Sequence, residues 1–235
     1  MTTNDRFRGC LLGLASGDAV GTTVEFRPRG SFDPLTDMVG GGPFGLQPGQ
    51  WTDDTSMALC LAESLVEFGG FDPRDQMERY VRWWTEGHLS SNGRCFDIGN
   101  TVRSALQRFK DSGNPWSGST DPFSAGNGSI MRLAPVPIFF FETEDEAVLR
   151  SAESSRTTHG AQECVDACRL FAMLLHRALS GMGKGEIVAP VPNIAGGPLA
   201  PKIQAVADGS YLQKSEAEIR GSGYVVESLG KGGRA

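Results

Sequence analysis

Apolar residues recur along this chain at the spacing of an α-helix, and no stretch sustains the period-two alternation of a half-buried strand. Helices of this kind must bury their apolar stripes against one another, so the expected fold class is all-α. Asp72-Pro73 supplies an N-cap followed by proline at the first helical position, and Met77, Tyr80, Val81 and Trp84 follow at i, i+3, i+4 and i+7. Ile98, Val102, Ala105, Leu106 and Phe109 repeat the pattern. Thr143-x-x-Glu146 and Ser215-x-x-Glu218 read as capping boxes that open further helices. From Ala161 to Leu179, the set Cys164, Val165, Cys168, Phe171, Leu175 and Leu179 marks a long amphipathic helix ending at Gly181. Val24 to Phe26 and Gly223 to Val226 are too short to count as strands. No fixed-period repeat emerges, which excludes a solenoid.

The 39% apolar content allows a sizeable core, and the net charge of −6 argues against a nucleic-acid partner. The basic pairs Arg6/Arg8, Arg27/Arg29 and Lys231/Arg234 are short and scattered. No targeting segment is visible. The most apolar run, Leu133 to Phe141, is too short for a bilayer and contains Pro135 and Pro137. Five cysteines without a CxxC pair suggest neither a disulfide framework nor a zinc knuckle, so a reducing, cytoplasmic location is expected.

Several segments carry chemistry. Thr52-Asp53-Asp54-Thr55 precedes a helix bearing Met57, Ala58, Leu61 and Leu65. Two carboxylates and a hydroxyl there read first as a helix cap, and otherwise as oxygen ligands for a hard cation such as Mg²⁺. Gly126-Asn127-Gly128-Ser129 leads into Ile130-Met131-Arg132, and alternating glycines before a helix can form a backbone nest for phosphate oxygens. Gly17-Asp18-Ala19-Val20-Gly21 ends the first helix and leads to Glu25, where small residues permit close packing or ligand approach. His159 sits in a turn before the long helix, and Asp97 at a helix start, where capping is the default reading. The glycine clusters at 40–42, 45, 49 and 196–197 read first as turns.

The order of these blocks resembles the ADP-ribosylglycohydrolase family. The matching stretches are DRFRGCLLGLASGDAVGTTVEF, GQWTDDTSMALCLAESL, GRCFDIGNTVRSAL, GNGSIMRLAPVPIFF, THGAQECVDACRLFAMLLHRALSG and GSGYVVESL, from about Asp5 to Leu229. The resemblance implies a compact orthogonal helical bundle that uses two Mg²⁺ ions, or Mn²⁺, to hydrolyse the glycosidic bond joining ADP-ribose to a protein side chain or small molecule. It also implies roles for single residues. Thr52, Asp53 and Asp54 are the expected metal ligands, and Glu25 and Asp97 the expected catalytic carboxylates. Gly126, Asn127, Gly128 and Ser129 are expected to hold the pyrophosphate, with His159 and Tyr224 beside the bound ADP-ribose.

The sequence departs from the family pattern in one place: it has no C-terminal Asp-x-Asp-Thr. The expectation is therefore a shortened single domain over residues 1–229, a polar glycine-rich tail over 230–235, and an incomplete second metal site. Weak or lost hydrolysis follows from that expectation. The alternative is an inactive protein that binds ADP-ribose or a partner, with an uncovered core face that a second chain would cover.

Overall fold

A computed structural model describes residues 1–190 and 193–232. Among them ten α-helices form: α1 (Thr3–Gly21), α2 (Asp53–Phe68), α3 (Pro73–Glu86), α4 (Asn100–Ser112), α5 (Pro135–Phe139), α6 (Glu144–Thr158), α7 (Gln162–Leu179), α8 (Lys184–Ile187), α9 (Pro201–Ala207) and α10 (Val225–Gly232). Extended pairing among the described residues is limited to three isolated bridges: Gly41–Leu46, Ser119–His159 and Gly126–Tyr224. The all-α expectation holds.

The core is where the helical stripes meet. Met57, Leu61 and Leu65 of α2, Met77, Tyr80 and Trp83 of α3, Leu106 of α4, Leu170 of α7 and Ile203 of α9 are all buried. α6 and α7, joined by only three residues, make the most extensive helix pair, and α2 packs on α3 and α5. Asp166 and Arg169 form a buried ion pair of 2.7 Å on α7. The second oxygen of Asp166 accepts from the Ala200 N–H, and Arg169 donates to the carbonyls of Ala195 and Gly197, so this pair pins the segment leading to α9.

Several local expectations need correction. On α3, Trp83 is buried, while Val81 and Trp84 are only half-buried. Gln76 donates to Ser154 Oγ of α6 at 3.0 Å and so turns the buried face toward that helix, leaving Trp84 under Lys110 of α4. The Thr143 side chain makes no capping bond. Glu144, Asp145 and Glu146 in the first turn of α6 favour its positive end by charge instead. The Ser215–Glu218 box does form, but it closes a single 3₁₀ turn. α10 continues to Gly232, past the expected limit at Leu229, because Val225 and Leu229 anchor it in the core and propagation of a nucleated helix costs little. Residues 233–235 of the expected tail, Arg234 among them, lie outside the described residues.

α1 is the exception to the burial pattern. Of its 19 residues only Ala19 is buried, and Leu12 is 67% exposed. A groove of about 540 Å³ lies beside it, lined by Cys10, Leu14, Ile130, Phe171, Leu174 and Leu229. No helix among the described residues is long and apolar enough to cross a membrane.

Candidate active site

The first turn of α2 is organised by a residue from another helix. Asp18, near the end of α1, accepts hydrogen bonds from the Thr52 N–H (3.0 Å), Thr52 Oγ1 (2.8 Å), the Thr55 N–H (3.1 Å) and Thr55 Oγ1 (2.7 Å). Thr52 occupies the N-cap position but makes no side-chain capping bond of its own. Asp53 and Asp54 follow immediately, Asp53 buried and Asp54 half-buried.

Four carboxyl groups line one cleft of about 620 Å³: Glu25, Asp53, Asp54 and Asp97. Burial and the charges of Asp54, Asp97 and Asp18 push Asp53 well above the usual carboxylate range. Asp54 is pushed up to about 7 by burial and then by Asp18 and Glu25. Asp97 is likewise pushed up to about 7, by burial and then by Glu25 and Asp54. Burial also raises Glu25, which shares a hydrogen bond with the Asp97 carboxyl. Like charges in contact disfavour joint ionisation, so this contact favours a proton on one of the two carboxyl groups.

Asp97 does not begin a helix, contrary to expectation. Gly99 is the N-cap of α4, and Asp97 stands before it at φ 59°, a left-handed conformation that Asp tolerates better than most residues. Phe26, beside Glu25, has φ 61° and is 78% exposed at the cleft mouth. Two non-glycine residues in sparsely populated backbone states thus frame the carboxyl pair.

On the opposite wall, Gly126, Asn127, Gly128 and His159 line the same cleft. Residues 126–129 precede a turn rather than a helix, since Ile130 and Met131 both donate to the Asn127 carbonyl and α5 begins only at Pro135. None of the four has a positive φ. The N–H groups of Gly126 and Asn127 are used by Ser124 and Gly223. Ser129 is buried away from the cleft. Gly128 has a different reason to be glycine: a Cβ there would stand 2.7 Å from His159 Cε1.

His159 is buried, and burial together with the nearby Arg132 guanidinium pushes it down to about 3, so the imidazole is neutral. Arg132 Nη2 donates to Thr158 Oγ1 at 2.7 Å, and that hydroxyl lies 2.9 Å from His159 Nδ1. The Thr158 hydroxyl thus ties His159 Nδ1 to the Arg132 guanidinium, and Nε2 lies beside Gly126 and Gly128. Arg132 itself is fully buried. It also donates to the Gly128 carbonyl at 2.9 Å and sits over the Tyr80 ring, so it supports the loop from behind.

Tyr224 does not line the carboxylate cleft. It borders an adjoining groove of about 490 Å³ that shares Thr101, Gly126 and Gly223 with the cleft and carries fully exposed Phe123. The Tyr224 hydroxyl donates to Glu163 at 2.6 Å and accepts from Lys202 at 2.8 Å. Three participants escaped the sequence reading. Asp18 was seen only as one of several small residues, although an aspartate in the last turn of a helix is disfavoured by the macrodipole and signals a partner elsewhere. Arg103, which among the described residues is the one Arg or Lys lining the cleft, and Phe123 left no local signal.

The carboxyl groups facing the cleft offer oxygen donors and negative charge, which suit a hard divalent cation that retains several waters. Among the described residues no three His, Cys, Asp or Glu side chains converge to form a ready cage.

The fold and site define an all-helical protein with clustered carboxyl groups, a glycine loop and a neutral histidine in one cleft. Residues 1–232 match the family model for ADP-ribosylglycohydrolase, and the chain belongs to that family. It is 51% identical over 225 residues to the ADP-ribosylarginine hydrolase Tri1 of Pseudomonas putida (strain GB-1), covering 96% of this chain and 59% of that protein. It is 35% identical over 189 residues to the ADP-ribosyl-[dinitrogen reductase] glycohydrolase of Rhodospirillum rubrum, covering 77% of this chain and 60% of that one. A solved structure titled as an ADP-ribosylglycohydrolase-related protein complex superposes with a TM-score of 0.79 at 40% identity, over 97% of this chain and 74% of that one. The chain thus spans about three fifths of the length of these two curated relatives.

Proposed function

We propose that this chain binds ADP-ribose attached to a protein side chain or small molecule and hydrolyses the glycosidic bond, with Mg²⁺ or Mn²⁺ as cofactor. The observation that carries the reading is the confluence of Glu25, Asp53, Asp54 and Asp97 with the Gly126–Gly128 loop and His159 in one cleft. Arginine is the linkage supported best. The Pseudomonas relative is named for it, and an acidic wall suits a departing guanidinium.

In this reading Thr52, Asp53 and Asp54 hold a cation through oxygens and waters. When bound, it would neutralise the clustered carboxylates and lower the pKa of a coordinated water. The Gly128 N–H and Arg103 would meet the pyrophosphate, Nε2 of His159 would face the substrate, and Phe123 and Tyr224 would border the base. Water adds to the anomeric carbon as the carbon–nitrogen bond breaks. The Glu25–Asp97 pair takes the proton of the attacking water and returns one to the leaving group. The five unpaired cysteines suit the reducing, cytoplasmic location proposed for it.

A second reading, recognition of ADP-ribose without turnover, is favoured by the lack of a ready three-ligand cage among the described residues. One pair of measurements separates the two. Release of ADP-ribose from an ADP-ribosylated arginine protein in Mg²⁺, lost in Asp53→Asn, supports hydrolysis. Calorimetric binding of ADP-ribose that ignores Mg²⁺, with no release, supports recognition alone. Neither release nor binding sinks both.

A further inference from the structure

The four hydrogen bonds to Asp18 have a specific pattern. In an ordinary capping box, the N-cap side chain accepts from the N–H three residues on, and the side chain at that third position accepts from the N-cap N–H. At α2 the two N–H groups concerned are those of Thr55 and Thr52, and both go to Asp18 from α1, 34 residues away from Thr52. The local candidates for these tasks are the Thr52 hydroxyl and the neighbouring Asp53 and Asp54 carboxylates. None of them is used that way. Thr52 Oγ1 spends its proton on Asp18 and keeps its lone pairs, while Asp53 and Asp54 face the cleft.

We propose that Asp18 is a positioning residue: it supplies both halves of a capping box in trans, and so keeps the Thr52 hydroxyl and the Asp53 and Asp54 carboxylates off the Thr52 and Thr55 N–H groups. The uncapped end of α2 would otherwise compete for them. Its free N–H groups and positive dipole attract the nearest oxygen, and Thr at an N-cap position is among the preferred acceptors. Asp18 removes that competition, its own oxygens occupied by four donors. The inference rests on the reading of the α2 start as a cation site, but its first consequence concerns rotamers alone.

The first measurement is a crystal structure of Asp18→Ala without divalent ions. Thr52 Oγ1, or a carboxylate of Asp53 or Asp54, should turn onto the vacated Thr55 N–H. If all three keep their present rotamers, the positioning role is wrong, whatever the function. The second is Mn²⁺ affinity, by calorimetry, of wild type, Asp18→Glu and Thr55→Val, alongside their melting temperatures. Asp18→Glu keeps the charge but displaces the oxygens, and should bind Mn²⁺ at least tenfold more weakly. Thr55→Val loses one donor and should fall between. Affinity unchanged in Asp18→Glu overturns the proposal, and so does a loss that appears only in variants whose melting has collapsed. If wild type itself takes no Mn²⁺, the cation reading fails, and the Asp18→Ala rotamers still decide the positioning role.

Discussion

The carboxyl groups of the cleft carry the clearest consequence at the scale of single residues. Asp54 and Asp97 titrate near 7 in the folded protein, against roughly 3.9 in an unfolded chain. The folded state therefore binds more protons than the unfolded state between about pH 4 and pH 7, and stability falls as pH rises through that window. In metal-free buffer the melting temperature should climb as pH is lowered from 8 to 5, opposite to the behaviour of proteins stabilised by paired carboxylates. Asp54→Asn removes part of the cost of like-charge crowding, so it should raise the melting temperature at pH 8 and flatten the profile. A calorimetric series across that range checks both slopes, and a profile that rises with pH would show that the carboxyl groups are relieved by some other means. Glu25, Asp53, Asp54 and Asp97, singled out in the sequence, do line one cleft. What was not legible was which of them serve a helix end, because the Asp18 contacts join residues 34 and 37 positions apart, and local spacing cannot see them.

At the scale of elements, the loop from Gly126 to Arg132 shows how a sequence can suggest a ligand contact that is first an internal one. The glycine at 128 admits the His159 ring, and Arg132 ties the Gly128 carbonyl to the last turn of α6 through Thr158. Both residues stand in the family-like GNGSIMR block, and their packing roles depend on α6 and α7, which follow later in the chain. The helices themselves were readable because their stripes are long. α7 begins and ends within a residue or two of its expected limits, and the α4 stripe from Val102 to Phe109 is buried as expected. The short pieces α5 and α8 were not, since they owe their shape to tertiary contacts rather than to periodicity. Arg132→Met should cost about 3 kcal/mol, chiefly from leaving the Gly128 carbonyl and the Thr158 hydroxyl unsatisfied in a buried place. It should also free His159 to titrate nearer its ordinary value. Denaturant melts read the first, and the imidazole proton resonances the second. An unchanged imidazole titration would mean that burial alone holds His159 neutral.

For the whole molecule, the unusual surface is the groove beside α1. An apolar lining of this kind on an otherwise well-packed bundle is a place where small apolar probes gather. The native protein should bind the dye anilinonaphthalene sulfonate without unfolding, and Leu14→Glu should abolish most of that signal while leaving the melt cooperative. Fluorescence titration beside circular dichroism checks it, and dye binding that survives Leu14→Glu would place the apolar surface elsewhere. That α1 would border an apolar groove was not legible in the sequence, since the apolar residues of α1 look like those of any core helix until their neighbours are known.

The bridge between Gly126 and Tyr224, with the Asn127 N–H donating to Gly223 and the Asn127 side chain to Ser228, fastens the loop wall of the cleft to a strip of chain about a hundred residues later. The order of synthesis then matters. As the chain leaves the ribosome, α2 and its carboxylates can meet Asp18 early, while the opposite wall waits for residues 223–228 to emerge. The acidic half of the cleft can form before the wall that faces it. A nascent chain at that stage offers an acidic surface not yet covered by the rest of its cleft.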